Sequence, residues 1–342
     1  GAAGVMIRLA LLRIVGALPN LIGVVVITFL LTRALPGDPA AYFAGQSATP
    51  EAIEQIRAQL GLDRSLPEQF VAYVGDLARG DLGQSLTTGQ SVATEIASRL
   101  PASMELTLVA LTLAIAISLP LGIAAAVRQG SWVDQLARVV TTAGVSLPVF
   151  FTGLLLTWLF YFVLGWAPSP IGRLDPSFSP PSDVTGFYLI DALLDRDLEL
   201  WWACAKQLVM PAITMALFVL APITRMTRAS MLAVLGSDFV RTARALGLRG
   251  PTVLVRYALR NALLPVVTTL GLVFSFMLGS NVLVEKVFAW PGIGSFAIES
   301  LTASDYAPVQ GFVLTMGVLY VMLNLLIDLA YLLIDPRVAM QA

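Results

Sequence analysis

Histidine is absent from the 342 residues, cysteine occurs once, at Cys204, and lysine twice, at Lys206 and Lys286. A single cysteine excludes a disulfide within the chain. Without histidine there is no His/Cys metal cluster, no histidine base and no histidine ligation of haem. Neither lysine follows a glycine-rich turn, since one sits in Ala-Lys-Gln and the other in Glu-Lys-Val. A phosphate-cradling loop needs its lysine just after such a turn. The chain is therefore read as a non-enzyme with no cofactor of its own, and any ATP and Mg²⁺ must be bound by another polypeptide. Charge is scarce too: Asp, Glu, Lys and Arg make up 13% of the residues against 57% hydrophobic, with a net charge of −1. That balance offers no basic field for nucleic acid. It is also too little charge to cover a soluble surface of this size, and the mean hydropathy of +0.81 points to lipid as the solvent.

Crossing the hydrocarbon core takes about 20 apolar residues in a helix. Six stretches qualify, near residues 9–31, 104–127, 136–164, 208–232, 262–284 and 311–334. The first is the weakest, because Arg13, Pro19 and Asn20 interrupt it. Its charged start also fits a signal peptide, but no small-x-small cleavage site follows cleanly, and an uncleaved anchor is expected. Basic residues set the orientation. Arg8 and Arg13 precede the first span, and Arg128 and Arg138 flank the loop after the second. Arg225, Arg228, Arg241, Arg244, Arg249, Arg256 and Arg260 crowd the region between the fourth and fifth, against one acid, Asp238. Asp191, Asp195, Asp197 and Glu199 fall on the opposite side, between spans three and four. All basic clusters share one side only if six helices are present and both termini are cytoplasmic.

The expected architecture is thus an all-α integral membrane protein, one domain over 1–342. Residues 33–102 form a long extracytoplasmic loop with short helices. Thr49-Pro50 reads as a helix start with proline in the first turn, and Ser65-Leu66-Pro67-Glu68 as a capping box. Gly80-Asp81-Leu82-Gly83 ends the second short helix.

Residues 237–265 are the most informative segment. Ser237 is placed to cap a short helix, Asp238 sits favourably in its first turn, and Gly247 is suited to the left-handed closing position. Phe239, Ala243 and Leu246 recur at helical spacing as one apolar stripe, with Arg241 and Arg244 on another face. Two readings stand side by side: a basic loop lying on anionic lipid heads, or a rod that fits a groove on a cytoplasmic partner.

Arg241-Thr242-Ala243-Arg244-Ala245-Leu246-Gly247, followed by Tyr257-Ala258-Leu259-Arg260-Asn261-Ala262-Leu263-Leu264-Pro265, resembles the coupling loop of binding-protein-dependent ABC permeases, in the dipeptide/oligopeptide/nickel branch. The general form of that loop has glutamate where this chain has Arg241 and a Leu-Pro pair nearer the glycine, both commonly missing in the peptide branch. Pro36-Gly37-Asp38-Pro39, Gly61-Leu62-Asp63 and Gly80-Asp81-Leu82-Gly83-Gln84-Ser85 resemble the same branch. So do Ser146-Leu147-Pro148-Val149-Phe150, Glu285-Lys286-Val287-Phe288 with Pro291-Gly292-Ile293-Gly294, and Asp335-Pro336-Arg337. The resemblance implies an ABC-importer permease fold and a cytoplasmic coupling loop over 236–262. It assigns Asp238, Phe239, Arg241, Thr242, Ala243, Arg244, Ala245, Leu246 and Gly247 to ATPase contact. It implies as partners a second permease chain, two ATP-binding subunits and an extracytoplasmic substrate-binding protein, with di- or oligopeptides as the first expectation for cargo. Nickel chelates, glutathione and oligosaccharides are carried by relatives.

Other residues carry two readings each. Ser146, Pro148, Thr268, Ser275 and Asn281 are candidates for lining a pathway, although small and hydroxyl residues equally serve tight helix packing in lipid. Glu285, beside Lys286, is a candidate gate or interfacial anchor. Asp328 is an intramembrane acid and so a functional candidate, or a structural partner for Arg225 or Arg228. Pro148 with Gly144 and Gly153 is expected to bend span three, and Trp201 and Trp202 to mark an interfacial belt. An ion-coupled secondary transporter predicts paired intramembrane acids or symmetric broken helices, and the sequence offers only Asp328. An intramembrane hydrolase lacks both a Ser/His pair and a second acid.

Overall fold

The computed structural model describes the backbone of residues 2–34, 39–44, 48–59 and 61–334, and the side chains of 15–31, 33, 40, 41, 44, 48–59 and 61–327. Residues 36–38 and 335–337 of the quoted motifs, and the Asp328 side chain, lie outside the described residues. Among the described residues every regular element is helical, apart from one antiparallel bridge between Gln84 and Ser91.

Helix α1 (Ala2–Ala34) runs straight through Pro19. The interruption is one of hydropathy and not of the helix, because a proline inside an apolar helix can be accommodated by its surroundings. Three short helices follow: α2 (Pro39–Ala44), α3 (Pro50–Gln59) and α4 (Leu66–Ala78). Pro50 opens α3 as its sequence position predicts. At α4 the Ser65 backbone N–H donates to the Glu68 carboxylate at 3.0 Å, and the Ser65 hydroxyl donates to the same group at 2.8 Å.

Helix α5 (Val92–Val127) begins twelve residues before the expected span, since the amphipathic turns from Val92 to Leu100 continue it without a stop. The helix α6 (Trp132–Ser146) and the helix α7 (Val149–Thr157), which continues as a π-helical turn over Trp158–Val163, meet at a 100° bend. The break falls at Leu147–Pro148, where proline cannot donate into the preceding helix. Gly144 has another job: a Cβ there would stand 2.6 Å from the Leu217 carbonyl oxygen, so it admits α9 rather than bending α6.

A short α8 (Tyr188–Leu194) leads into α9 (Leu198–Leu235). The stub helix α10 (Asp238–Ala245) follows, then α11 (Gly250–Thr252), which runs through a π segment (Val253–Leu259) into α12 (Arg260–Val287). Helices α13 (Ile293–Thr302) and α14 (Tyr306–Ile334) complete the chain. Among the described residues four helices are long and apolar enough to cross a membrane, and the bent pair makes a fifth if counted as one span. The described apolar part of α1 covers Val15–Leu31.

Helix α9 is the axis of the bundle. In its most apolar stretch 72% of the residues are buried, against 17% in α14. Its main neighbour is α5, which turns Ala102, Leu106, Ala110, Ala114, Ser118, Gly122 and Ala126 inward at every fourth position. Such a row of small side chains lets helix backbones approach closely. At Gly122 a Cβ would lie 2.7 Å from the Thr227 Cβ and 2.9 Å from the Thr224 carbonyl oxygen.

Candidate functional site

The stub between α9 and α12 is a folded element, not a loose basic loop. Val240 and Ala243 are buried against Val253, with Val234 and Leu235 of α9 beside them. Beyond Ala245 the chain closes with a Schellman motif: the Gly247 N–H donates to the Arg244 carbonyl at 3.0 Å and the Leu248 N–H to the Ala243 carbonyl at 3.3 Å. Gly247 adopts φ +78°, as its position predicts. Ser237 occupies the N-cap position, yet its hydroxyl turns back to the Val234 carbonyl at 2.6 Å instead of capping α10.

Exposure divides the expected apolar stripe. Ala243 faces inward, whereas Phe239 and Leu246 stand outside, Leu246 at 76% exposure. The period of an α-helix does not tell an inward face from an outward one when both are apolar. Asp238, Arg241, Thr242, Arg244 and Ala245 complete the outer surface. Arg241 reaches Asp238 at 3.5 Å, with both side chains almost fully in solvent. This is a rigid, cationic rod end with two apolar knobs.

Three buried polar nodes hold the helices that carry it. Asp134, at the start of α6, has no exposed surface. It accepts a two-pronged contact from Arg228 of α9 (Nε to Oδ1 2.7 Å, Nη2 to Oδ2 2.9 Å), the Gly130 N–H at 3.0 Å and Arg138 at 3.2 Å. Arg228 thus answers to Asp134, and the Nε of Arg225 donates to the Ala221 carbonyl, while the expected pairing of Asp328 with either arginine lies outside the described residues. At the other end of the bundle Glu105 and Arg173 form a buried ion pair at 2.6 Å. Glu105 also accepts the Leu189 N–H, and Arg173 donates to the Gly186 carbonyl and lies over the Tyr188 ring. These contacts fasten the segment between α7 and α8 onto α5.

Glu285 forms the third node. It has no exposed surface, so it faces neither solvent nor lipid, and only its neighbour Lys286 points outward, to Glu299 at 3.1 Å. Its carboxylate accepts from the Ser103 hydroxyl, from Asn281 Nδ2 at 2.9 Å and from the Ser295 N–H at 2.8 Å. A Cβ at Gly292 would sit 2.1 Å from this carboxylate. The Pro-Gly-Ile-Gly turn is thus the cradle of Glu285, and the two motifs read separately along the chain are one piece of structure.

The other candidate pathway residues fall in different surroundings. Asn281 is buried with Glu285. Ser146, Pro148 and Thr268 lie on the exposed surface of the chain, and Ser275 borders an apolar cleft between α1, α12 and α14. Sequence reasoning missed Asp134, Glu105 and Arg173. The available signal was a lone acid placed beside the limit of an apolar run, which is indistinguishable from an interfacial anchor until its partner, 94 or 68 residues away, is known.

Similarity to known proteins covers nearly the whole length. The family model described as "Binding-protein-dependent transport system inner membrane component" matches residues 118–340, and the model of the corresponding N-terminal region matches 6–107. The probable D,D-dipeptide transport system permease protein of Escherichia coli (strain K12) is 46% identical over 92% of this chain and 93% of its own length. The dipeptide transport system permease protein of Alkalihalophilus pseudofirmus is 39% identical over 97% and 99%. The glutathione transport system permease protein of Escherichia coli O6:H1 is 36% identical over the same shares.

Proposed function

This chain belongs to the family of binding-protein-dependent transport system inner membrane components, and from that premise we propose that it forms half of the translocation pathway of an ATP-driven peptide importer. It is a multi-pass inner-membrane protein. Di- or oligopeptides are the proposed cargo, on the strength of relatives named for dipeptides at 38–46% identity. The relative named for glutathione is itself a peptide carrier by chemistry, at 36%. In this reading α1, α5, the bent α6–α7 pair, α9, α12 and α14 are six spans with both termini in the cytoplasm. The stub then projects into the cytosol, and the Glu105 and Glu285 nodes lie at the outer face.

The observation that carries the coupling role is the stub itself. A helix fastened to α9 through Val240 and Ala243, with Phe239 and Leu246 outward among arginines, suits a helix-in-groove contact with a partner ATPase. A folded lever transmits a push; a loose basic loop does not. A second permease chain, two ATP-binding subunits carrying ATP and Mg²⁺, and a substrate-binding protein complete the assembly. Each ligand must bind the inward- and outward-open states unequally to drive the cycle.

Reconstituting the chain with these partners in vesicles tests the reading: dipeptide uptake is expected only with ATP and the binding protein. Uptake by the chain without any ATPase would establish the ion-coupled alternative instead.

A further inference from the structure

Resting on the reading of α10 as the surface a motor grips, we propose that the buried Asp134–Arg228 pair is a positioning device that carries displacement of the stub into the bent α6–α7 span. Arg228 lies seven residues before the end of α9 at Leu235, about 10 Å along the helix. Just past that end α10 begins, locked to Val234 and Leu235. Movement of the stub therefore moves this stretch of α9.

Asp134 is the first acid of α6, and its two oxygens receive four donors from three residues, Gly130, Arg138 and Arg228. Three of the four converge on Oδ2, and the Arg228 fork spans both oxygens. A guanidinium fork on a carboxylate fixes the plane of approach as well as the distance, which a lysine point charge does not. The joint between α9 and α6 thus resists both sliding and rotation. At its far end α6 stops at the 100° break, where Leu147 and Pro148 leave the helical ladder. A displacement arriving there becomes a change of angle between α6 and α7 and is not absorbed along a continuous helix. Helix α7 in turn lies on α9 and α12, with Gly153 close to Thr214 and Phe288. The resulting route runs from stub to α9, across the ion pair to α6, and through the break to the helices at the opposite end.

A merely structural anchor and a transmitting joint differ in one measurable ratio, solute moved per ATP hydrolysed in the reconstituted complex. Two variants separate them. Arg228→Lys keeps the charge and loses the fork. The double variant Asp134→Leu with Arg228→Met removes both charges of the pair, a replacement that is often neutral for stability, and the two other donors to Asp134, the Gly130 N–H and Arg138, are exposed and can turn to water. Both are expected to co-purify with the ATPases and hydrolyse ATP, with transport per ATP lowered on the order of tenfold and weaker stimulation of hydrolysis by loaded binding protein. A wild-type ratio in an assembled double variant overturns the proposal. If the double variant does not assemble, a wild-type ratio in Arg228→Lys overturns it alone. Failure of the wild-type chain to bind any ATPase would instead sink the importer reading, so the two failures are distinguishable.

Discussion

Single side chains decide how the stub is read. Ala243 and Leu246 belong to the same helical period, but one is sealed against Val253 and the other stands in solvent. Ala243→Asp is expected to unfold the stub, because a carboxylate buried without a partner is costly. Leu246→Asp should leave it folded and weaken co-purification with the ATPase. Limited proteolysis of the stub, run beside pull-down yields, separates the two effects, and equal protease resistance with equal yields would count against the assigned faces. Gly247 is constrained by dihedral angle, not by space, since nothing lies within 4 Å of its missing Cβ. Gly247→Val should cost roughly 1–2 kcal/mol at the Schellman closure and uncouple ATP hydrolysis from uptake while insertion stays intact. In the Glu285 node the constraint is hydrogen bonding. Glu285→Ala leaves Asn281, Ser103 and Ser295 donors in the interior without their acceptor. About 1–3 kcal/mol should be lost, read as a lower unfolding temperature than that of Glu285→Gln, which keeps one acceptor oxygen.

Elements add constraints that no one residue expresses. The first turn of α4 is held by the Glu68 carboxylate, whose pKa lies below the usual carboxylate value because the Ser65 hydroxyl and then the Ser65 backbone N–H donate to it. A depressed folded value means the interaction is complete above the unfolded pKa of about 4.3 and is lost as pH falls through the folded one. Amide exchange in the first turn of α4, corrected for intrinsic rates, should therefore be faster at about pH 3 than at about pH 6. Glu68→Gln is expected to abolish that difference, and a difference that survives would mean another group is responsible. Helix α5 depends on its row of small residues. Gly122→Leu would drive a side chain into Thr227 and the α9 backbone, so the yield of folded protein should fall, whereas Leu108→Ile on the exposed side of the same helix should be silent.

For the whole molecule, the long apolar runs, the arginine distribution and the stub's glycine closure were legible in the sequence because each is a local property: hydropathy over one helix length, charge beside it, glycine where φ must be positive. Pro148 was legible as a break for the same reason. Glu285 was legible as a candidate, though not what it holds; Glu105, at the edge of one apolar window, and Asp134, just before another, were missed because an acid there reads as interfacial until its distant partner is known. The sequence reading counted Asp328 as the lone intramembrane acid. The folded chain instead gives Glu105 an arginine partner and Glu285 a set of neutral donors. Both acids thus hold helices together.

The sequence by itself determined the apolar solvent and the lack of a glycine-rich turn before either lysine, and it marked the segment proposed to meet a partner, since these depend on residue type and on spacing within one or two turns. Only the tertiary structure decided which face of the stub is free, what Glu285 holds, and that Arg228 answers to Asp134. Those outcomes turn on distances between residues far apart in the chain, and a pattern that repeats every few residues carries no information about them.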